Sequence, residues 1–413
     1  MSRPLSVCFL AGEFPPATGG VGDYTELLAE QLHQDGVEVS VVARGAAGPA
    51  GAGSAEVGGG AAAGGVPVHW IAGWGLPGIE HLSRFAKERR VDVLHLEYQA
   101  GAFASDWALH LAPWLLRRRG VAARFVTTFH DLRVPSLLPK AGPLRSLALE
   151  SLIRASDGVV FTHPADLVRS GRSRSVAWIP IGANVTASVP PDQAAGRTHW
   201  GISADELVLA FFGFVNRSKG LPNLLEAAAI LRAEGVPVRL LLVGDQTGVS
   251  DASNFASASE ALAAVDRLGL EHDVIWTGPL NRGDVSLALG AANLAVLPYE
   301  DGASLRRGSL LACLAHGLPV VTTRAESVPP LAASSTVVPF DAPDSFALDE
   351  VVVASAARGP DLATAIRTLV RDPARMAGLS RAGPAFVARL SWPRISEAHR
   401  TFYGRVLAGP AKP

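Results

Sequence analysis

Cysteine is almost absent from this sequence, which contains two in 413 residues. Cys8 and Cys313 each lie inside an apolar segment, as small buried side chains do. Two isolated cysteines exclude a disulfide framework, and neither stands at a metal-ligand spacing from other candidate ligands. We therefore expect a cytoplasmic protein with no metal site and no cofactor.

Long apolar runs and an excess of charge are also missing. No stretch approaches the roughly 18 apolar residues that span a bilayer, although 48% of the residues are hydrophobic. A net charge of −1 provides no global basic field, which argues against a nucleic-acid partner. The N-terminal stretch MSRPLSVCFLAGEFPP leads directly into a strand-loop-helix pattern, so we interpret it as the first strand and not as a signal peptide.

Lysine is also rare in this sequence. The chain has only Lys87, Lys140, Lys219 and Lys412. Lys219 is alone between Lys140 and Lys412, which argues against a solvated residue without a role. We therefore treat Lys219 as a candidate functional residue.

What the sequence does contain is a regular alternation of short apolar runs and helical patterns. After the first run, Val21, Tyr24, Leu28 and Leu32 recur at helical spacing. This alternation predicts an α/β fold with doubly wound parallel sheets. The predicted strands are Leu5–Ala11, Val37–Ala43, Val66–Ile71, Val91–Leu96, Arg124–Phe129, Gly158–Phe161, Ser175–Ile179, Leu207–Phe212, Val238–Val243, Val274–Thr277, Leu294–Leu297 and Leu318–Val321.

The chain length suits two domains of roughly 180 to 200 residues each. A proline-containing break at residues 184–196 predicts the boundary. We expect Rossmann-like domains at residues 1–186 and 197–389, and a final helix within 390–411 that packs back onto the first domain. Ligands of such sheets bind at the carboxyl ends of the strands, which predicts a site in a cleft faced by both domains. Residues 44–67, almost all Gly and Ala, predict a mobile loop.

Polar side chains occur where two strands of the first domain end. His130 and Asp131 follow one strand, and His95, Glu97 and Tyr98 close the strand before it. Strand ends in this fold point toward the ligand, so we take His130 as a candidate catalytic residue and the other four as candidates for the acceptor side of the site. A lone histidine is more often structural, and that alternative stays open for each histidine.

A glycine-rich loop, GEFPPATGGVGDY, joins the first strand to the first helix. Gly19, Gly20 and Gly22 would let a ligand approach backbone amides at a helix N-terminus. The loop is not the dinucleotide pattern G-x-G-x-x-G, and no acidic residue ends the second strand, which argues against NAD. A plain turn is an equally good interpretation.

Two loops of the second domain carry paired cations. Arg217 and Lys219 lie between a strand and a helix, where arginine and lysine suit a phosphate group. Arg306 and Arg307 precede an apolar helix, although a helix N-terminus prefers anions. An anion held between these arginines and the first helix amides resolves that conflict, and the ordinary alternative is a solvated pair. Two such loops in one domain suggest a bound diphosphate.

The chain resembles the GT-B glycosyltransferases of the retaining group 4 family. The resemblance is carried by FPPATGGVGDY, FHD, RSKG, LAHGLPVV and LSWPRISEAHRTFYGRVL, which together span almost the whole chain. It implies that the second domain binds a nucleotide-diphosphate sugar, with Arg217 and Lys219 on the diphosphate and His130 near the transferred sugar. It also implies that the loop around Gly20 approaches the diphosphate and the acceptor.

Two positions depart from the family pattern. Phe214 stands where the family usually has an arginine, and the paired family glutamates fall on Ser304 and Ala312. We expect Ser304, Arg306, Arg307 and the amides of Gly308 and Ser309 to rebuild the donor site around the phosphates. Asp301 is a nearby carboxylate that would take the place of a family glutamate in this donor site.

The resemblance implies a retaining transfer of sugar to an acceptor hydroxyl without an enzyme nucleophile. A catalytically silent sugar-nucleotide or partner-binding protein is the alternative from another class, and the lost glutamates favour it. A sugar-nucleotide epimerase is the alternative within enzymes, since a phosphorylase would need a further lysine. Residues 107–120, WALHLAPWLLRRRG, also suggest peripheral contact at the inner face of the membrane, although basic residues at a helix end complement its dipole in any case.

Overall fold

The structure is a computed structural model. It describes residues 3–17, 19–45, 56–61, 63–103, 106–132, 142–169, 175–186, 192–244, 253–324, 337–340 and 347–410. The chain divides into two compact units. The first comprises Met1–Ile181, Val328–Ala342 and Trp392–Pro413, and the second comprises Gly182–Ser327 and Pro343–Ser391.

The first unit contains a sheet of nine strands. Its strands in chain order are β1 (Ser6–Ala11), β2 (Glu38–Arg44), β3 (Glu56–Ala61), β4 (Pro67–Ile71), β5 (Val93–Tyr98), β6 (Arg124–Phe129), β7 (Gly158–Phe161), β8 (Val176–Trp178) and, from much later in the chain, β14 (Val337–Pro339). Their spatial order is β14-β8-β7-β6-β5-β1-β2-β4-β3. All pairings are parallel except that of β3 with β4.

The second unit contains a six-stranded parallel sheet. Its strands are β9 (Leu207–Phe212), β10 (Val238–Val243), β11 (Val274–Trp276), β12 (Leu294–Leu297), β13 (Val320–Thr323) and β15 (Val352–Ser355). They are arranged in the order β11-β10-β9-β12-β13-β15. The carboxyl ends of β9 and β12 are neighbours, because these two strands pair directly.

Twelve α-helices occupy the described residues around the two sheets. They are α1 (Gly20–Gln34), α2 (Leu76–Glu88), α3 (Ala112–Arg118), α4 (Gly142–Ala155), α5 (Gln193–Trp200), α6 (Leu221–Ala233), α7 (Ser253–Leu268), α8 (Arg282–Ala291), α9 (Gly308–Ala315), α10 (Gly359–Val370), α11 (Pro373–Ala388) and α12 (Trp392–Ala408). No described helix is long and apolar enough to cross a membrane.

The central strands are buried on both faces, which explains their continuous apolar sequences. Every residue of β1, β5 and β12 is buried. Parallel sheets covered by helices on both sides need apolar side chains at successive positions, not at alternate ones. The predicted doubly wound α/β class is therefore correct for both units.

Four features of the chain differ from the sequence prediction, and one of them is strand β15, which none of the predicted strands covers. Residues 56–61 form strand β3, although their Gly-rich sequence predicted a loop, because an edge strand can be held by backbone hydrogen bonds to β4 alone. The rest of that predicted loop lies largely outside the described residues. Helix α5 begins at Gln193, inside the predicted break, and the units divide near Ile181. Strand β14 joins the first sheet through β8, whereas the sequence placed it in the second domain.

Candidate active site

In the second unit, three segments meet beyond the carboxyl end of β9. Gly213 follows that strand with φ of +112°, a conformation that favours glycine. A Cβ atom at Gly213 would lie 1.9 Å from Nζ of Lys219 and 3.8 Å from Cβ of Ser309. The strand end, the turn Arg217–Lys219 and the start of α9 therefore surround one point, and glycine leaves room there.

Lys219 is the cation at this point. Its Nζ donates to the carbonyl oxygen of Phe212 at 3.3 Å. Burial, with a further contribution from the nearby Arg307 guanidinium, lowers the pKa of Lys219 to about 7. Among the residues that the structure describes, Lys219 has no carboxylate partner that would keep its ordinary pKa, which is typical of a group that binds an anion.

Arg307, near Lys219, makes two contacts, and one of its partners is itself anchored to α9. Its guanidinium lies over the Tyr299 ring at 4.6 Å and forms an ion pair with Asp301. The Tyr299 hydroxyl is 2.8 Å from Oγ of Ser309. These contacts fix the guanidinium beside the first turn of α9, for which Arg307 is the N-cap residue.

The first amides of α9 add hydrogen-bond donors to this cluster. In the described part of the chain, the backbone N–H groups of Gly308 and Ser309 have no acceptor. Open amides and the positive end of a helix dipole favour an anion. Together with Lys219 and Arg307, they form what we call the α9 anion site.

The other predicted donor residues occupy varied environments. Arg217 is exposed, Arg306 is half-buried, and their phosphate contacts stay predictions. Ser304 is buried and its carbonyl oxygen accepts from the Arg307 amide at 3.1 Å. Asp301 forms an ion pair with Arg307, and its contact with the donor stays a prediction.

In the first unit, the ends of β5 and β6 bring Glu97 and His130 together. Nε2 of His130 is 2.8 Å from Oε2 of Glu97, and the Glu97 carboxyl is completely buried. Burial raises the pKa of Glu97, while the His130 contact opposes the rise. The Tyr24 ring packs edge-on against His130 with ring centroids 4.9 Å apart. His130 is therefore held at its strand end by a carboxyl and an aromatic ring.

Tyr98 does not join this pair as the sequence predicted, whereas Nε2 of His95 lies 3.6 Å from Oε1 of Glu97 in the buried interior. His95 has no exposed surface, and its ring nitrogens contact the Tyr403 hydroxyl at 2.6 Å and Oγ1 of Thr128 at 2.7 Å. Successive residues of a strand point to opposite faces, so Tyr98 lies across the sheet from Glu97 and contacts His110 at 3.0 Å. Both are core residues with internal partners, and this corrects their predicted position on the acceptor side. Asp131 is half-buried beside His130, and its role stays a prediction.

Glu13 is a residue that the sequence analysis missed. Its carboxylate accepts hydrogen bonds from the amides of Val21 and Gly22 at the start of α1. A Cβ atom at Gly19 would lie 2.0 Å from its Oε1 atom, so Gly19 is needed to admit this carboxylate. Two of the amides in the glycine loop are therefore already occupied, while Gly20 is exposed. The available signal was an acidic residue six positions before the N-cap glycine, Gly19.

Metal ligands do not cluster in the described residues, where no group of three or more His, Cys, Asp or Glu side chains could hold an ion. The polar groups described at the two strand ends are cations, backbone amides and the Glu97–His130 pair.

Solved structures with this architecture define the class. Sucrose-phosphate synthase from Thermosynechococcus elongatus matches with a TM-score of 0.75 and 18% identity over 98% of this chain and 99% of that one. Anabaena HepE, in complex with UDP and glucose, matches with a TM-score of 0.70 and 18% identity over 96% and 98%. The paired parallel-sheet units are those of a GT-B fold.

Sequence profiles then identify the family. Residues 206–372 match the glycosyl transferases group 1 profile, and residues 19–176 match the glycosyl transferase 4-like domain. The chain belongs to this glycosyltransferase family, as its motifs indicated.

The curated relatives named here are D-inositol 3-phosphate glycosyltransferases. The D-inositol 3-phosphate glycosyltransferases of Segniliparus rotundus and Mycolicibacterium smegmatis are 25% and 26% identical to this chain over 320 and 334 residues. These matches cover 74% and 77% of this chain, and 66% and 68% of those proteins. The matched region is thus about two thirds of the length of each relative.

Proposed function

We propose that this glycosyltransferase moves a sugar from a nucleotide-diphosphate donor to an acceptor hydroxyl with retention of configuration. The observation that carries the proposal is the α9 anion site, where Lys219, Arg307 and the open amides of Gly308 and Ser309 surround one point. A diphosphate supplies the charge that this site lacks.

The chemistry follows from where charge develops. As the bond from the sugar to the diphosphate breaks, negative charge grows on the leaving phosphate oxygens. A protonated Lys219 and the fixed Arg307 guanidinium stabilise that charge in place, which is the largest contribution a site of this kind makes to rate. The leaving phosphate then accepts the proton of the acceptor hydroxyl, so no enzyme nucleophile is required. His130, held by Glu97, is the proposed contact to the transferred sugar.

The substrates to assay first come from the names of similar proteins. HepE is described with UDP and glucose, and the curated relatives are named for D-inositol 3-phosphate. We therefore propose UDP-sugars as the first donors and D-inositol 3-phosphate as the first acceptor.

The test is a transfer assay with a panel of UDP- and ADP-sugars and D-inositol 3-phosphate, in which released nucleoside diphosphate and glycosylated product are both measured. We expect stoichiometric release and product with at least one donor, and an α-linked product from an α-linked donor. Binding of nucleoside diphosphate without turnover of any donor would instead support the silent sugar-nucleotide-binding alternative. Isomerised donor without transfer would support an epimerase.

Cytoplasmic location and peripheral membrane contact stay predictions from the sequence. A fractionation of cells that express the protein would test both, with the soluble and membrane fractions assayed for the chain.

A further inference from the structure

The first unit has a basic pocket at the end of the sheet opposite to His130. It has a volume of about 550 Å³ and lies near the start of β5 and β6, next to the final turns of α2 and α12. Its lining residues are Arg3, Ala86, Lys87, Arg90, Val91, Asp92, Gly120, Ala122, Ala123, Arg124 and Leu407. Four cations and a single carboxylate therefore surround a floor of small apolar side chains.

The carboxylate does not neutralise the pocket. One oxygen of Asp92 pairs with Arg3 at 2.5 Å, and the other accepts from the amide of Ser6 at 2.9 Å. Arg124 is oriented by a hydrogen bond of 2.7 Å to the carbonyl oxygen of Gly409. Among the described residues, no carboxylate lies within ion-pair distance of Lys87 or Arg90. The pocket thus retains positive charge that faces an open volume.

The backbone at Arg90 provides an independent observation. Seven helices in the described residues end with the same two backbone hydrogen bonds, the first donated by a residue with positive φ. Six of them have glycine at that position: Gly36, Gly120, Gly201, Gly235, Gly269 and Gly317. The seventh, at the end of α2, has Arg90 with φ of +50°. A side chain is disfavoured in this left-handed conformation relative to glycine, so a gain elsewhere is expected from the arginine.

We propose that this pocket binds a phosphomonoester, with Lys87 and Arg90 as its principal contacts. Because Asp92 pairs with Arg3, a phosphate dianion balances the positive charge of Lys87, Arg90 and Arg124, and arginine can hold it with two parallel hydrogen bonds. The small apolar floor accommodates the organic part of the ligand. The ligand is either a free phosphorylated metabolite or the headgroup of a lipid that carries a terminal phosphate.

The test is a calorimetric titration of the full chain with glycerol 3-phosphate. All proteins also carry Lys219→Ala, which removes a cation from the α9 anion site and so limits binding there. Arg90→Gly and Lys87→Ala are each expected to weaken binding roughly tenfold or more, as loss of one charge-assisted contact implies. Arg89→Ala is the matched control, because Arg89 is exposed on the same helix end but does not line the pocket.

Arg90→Gly separates binding from folding. Glycine relieves the positive φ, so the melting temperature of this variant should be unchanged or higher while phosphate affinity falls. If the basic residues only complement the dipole of α2, the melting temperature should fall and affinity should not change, which would overturn the proposal.

A second arm identifies the source of the phosphate. Flotation with phosphatidylcholine vesicles that contain phosphatidic acid would show binding that Arg90→Gly removes and Arg89→Ala retains, if the ligand is a lipid headgroup. Binding to neither probe, or an equal loss with Arg89→Ala, would contradict the proposal. The transfer assay is independent, since Arg90→Gly without the Lys219 change should keep wild-type turnover.

Discussion

At the scale of single residues, the function depends on groups that the protein keeps out of their preferred state. Lys219 is the main example, because the fold lowers its pKa to about 7 instead of pairing it with a carboxylate. Glu97 is another, since it is completely buried with His130 as its close polar contact. Burial of either group reduces the stability of the free protein, and for Lys219 a bound anion would supply the negative charge that offsets this cost.

Lys219→Met should separate stability from activity. The folded-state pKa lies below the value of 10.5 for an ordinary lysine, so the unfolded chain binds an extra proton between those two pH values. The contribution of Lys219 to stability therefore rises with pH through that window and is least favourable below it. We expect the melting temperature of Lys219→Met to be higher than that of the wild type at neutral pH, and turnover to fall by roughly 10² to 10³. Denaturation scans and the transfer assay measure the two effects, and near-normal turnover would remove Lys219 from the proposed site.

Glu97→Gln tests whether the carboxyl positions His130. A charged hydrogen bond contributes about 1.5 to 3 kcal/mol, so we expect turnover to fall roughly tenfold or more, with an altered pH–rate profile. Thr127→Val is the control, because it removes a buried hydrogen bond to Ser156 on the other face of the same sheet. Equal losses in both variants would indicate a structural role only.

At the scale of elements, two helix starts in this chain are similar in form and differ in use. The amides at the start of α1 are partly occupied by the Glu13 carboxylate, whereas those of α9 are open and flanked by Arg307. The sequence showed glycine at both places and suggested a ligand at both. The two helix starts differ in where the Glu13 side chain lies. The periodicity of the sequence contains no information about that position.

Glu13→Ala should therefore act on α1 as the loss of a cap. We expect the free energy of unfolding to fall by about 1 kcal/mol, the usual effect of removing an N-terminal capping side chain. Glu13→Gln retains an acceptor oxygen and should recover most of that loss. Chemical denaturation of the three proteins measures the difference, and equal stability of Glu13→Ala and wild type would show that the carboxylate is not a cap.

At the scale of the whole molecule, the sequence predicted what depends on local pattern. Strands Arg124–Phe129 and Gly158–Phe161 have the predicted bounds, because polar turns on both sides of a short apolar run define where the strand begins and ends. Strand β14 was missed, since three residues provide no pattern that selects a sheet. His95 was assigned to a ligand because the sequence does not reveal that Tyr403, more than 300 residues later, supplies its partner.

The same limit applies to the candidate site. Lys219 could be predicted because lysine is so rare in this chain, and Arg307 because it opposes a helix dipole. The contacts that hold Arg307 in place, the Tyr299 ring and Asp301, required the structure, since their geometry depends on how the turn after β12 packs against α9.

The central claim is that the α9 anion site holds the diphosphate of a nucleotide. Its most direct test is a calorimetric titration of wild type and Arg307→Ala with UDP and with uridine. We predict that the substitution weakens UDP binding roughly tenfold or more, as one charge-assisted contact implies, and leaves uridine binding unchanged. Thermal denaturation of Arg307→Ala would verify that the variant is folded. Equal affinities of wild type and folded variant for UDP would contradict the account.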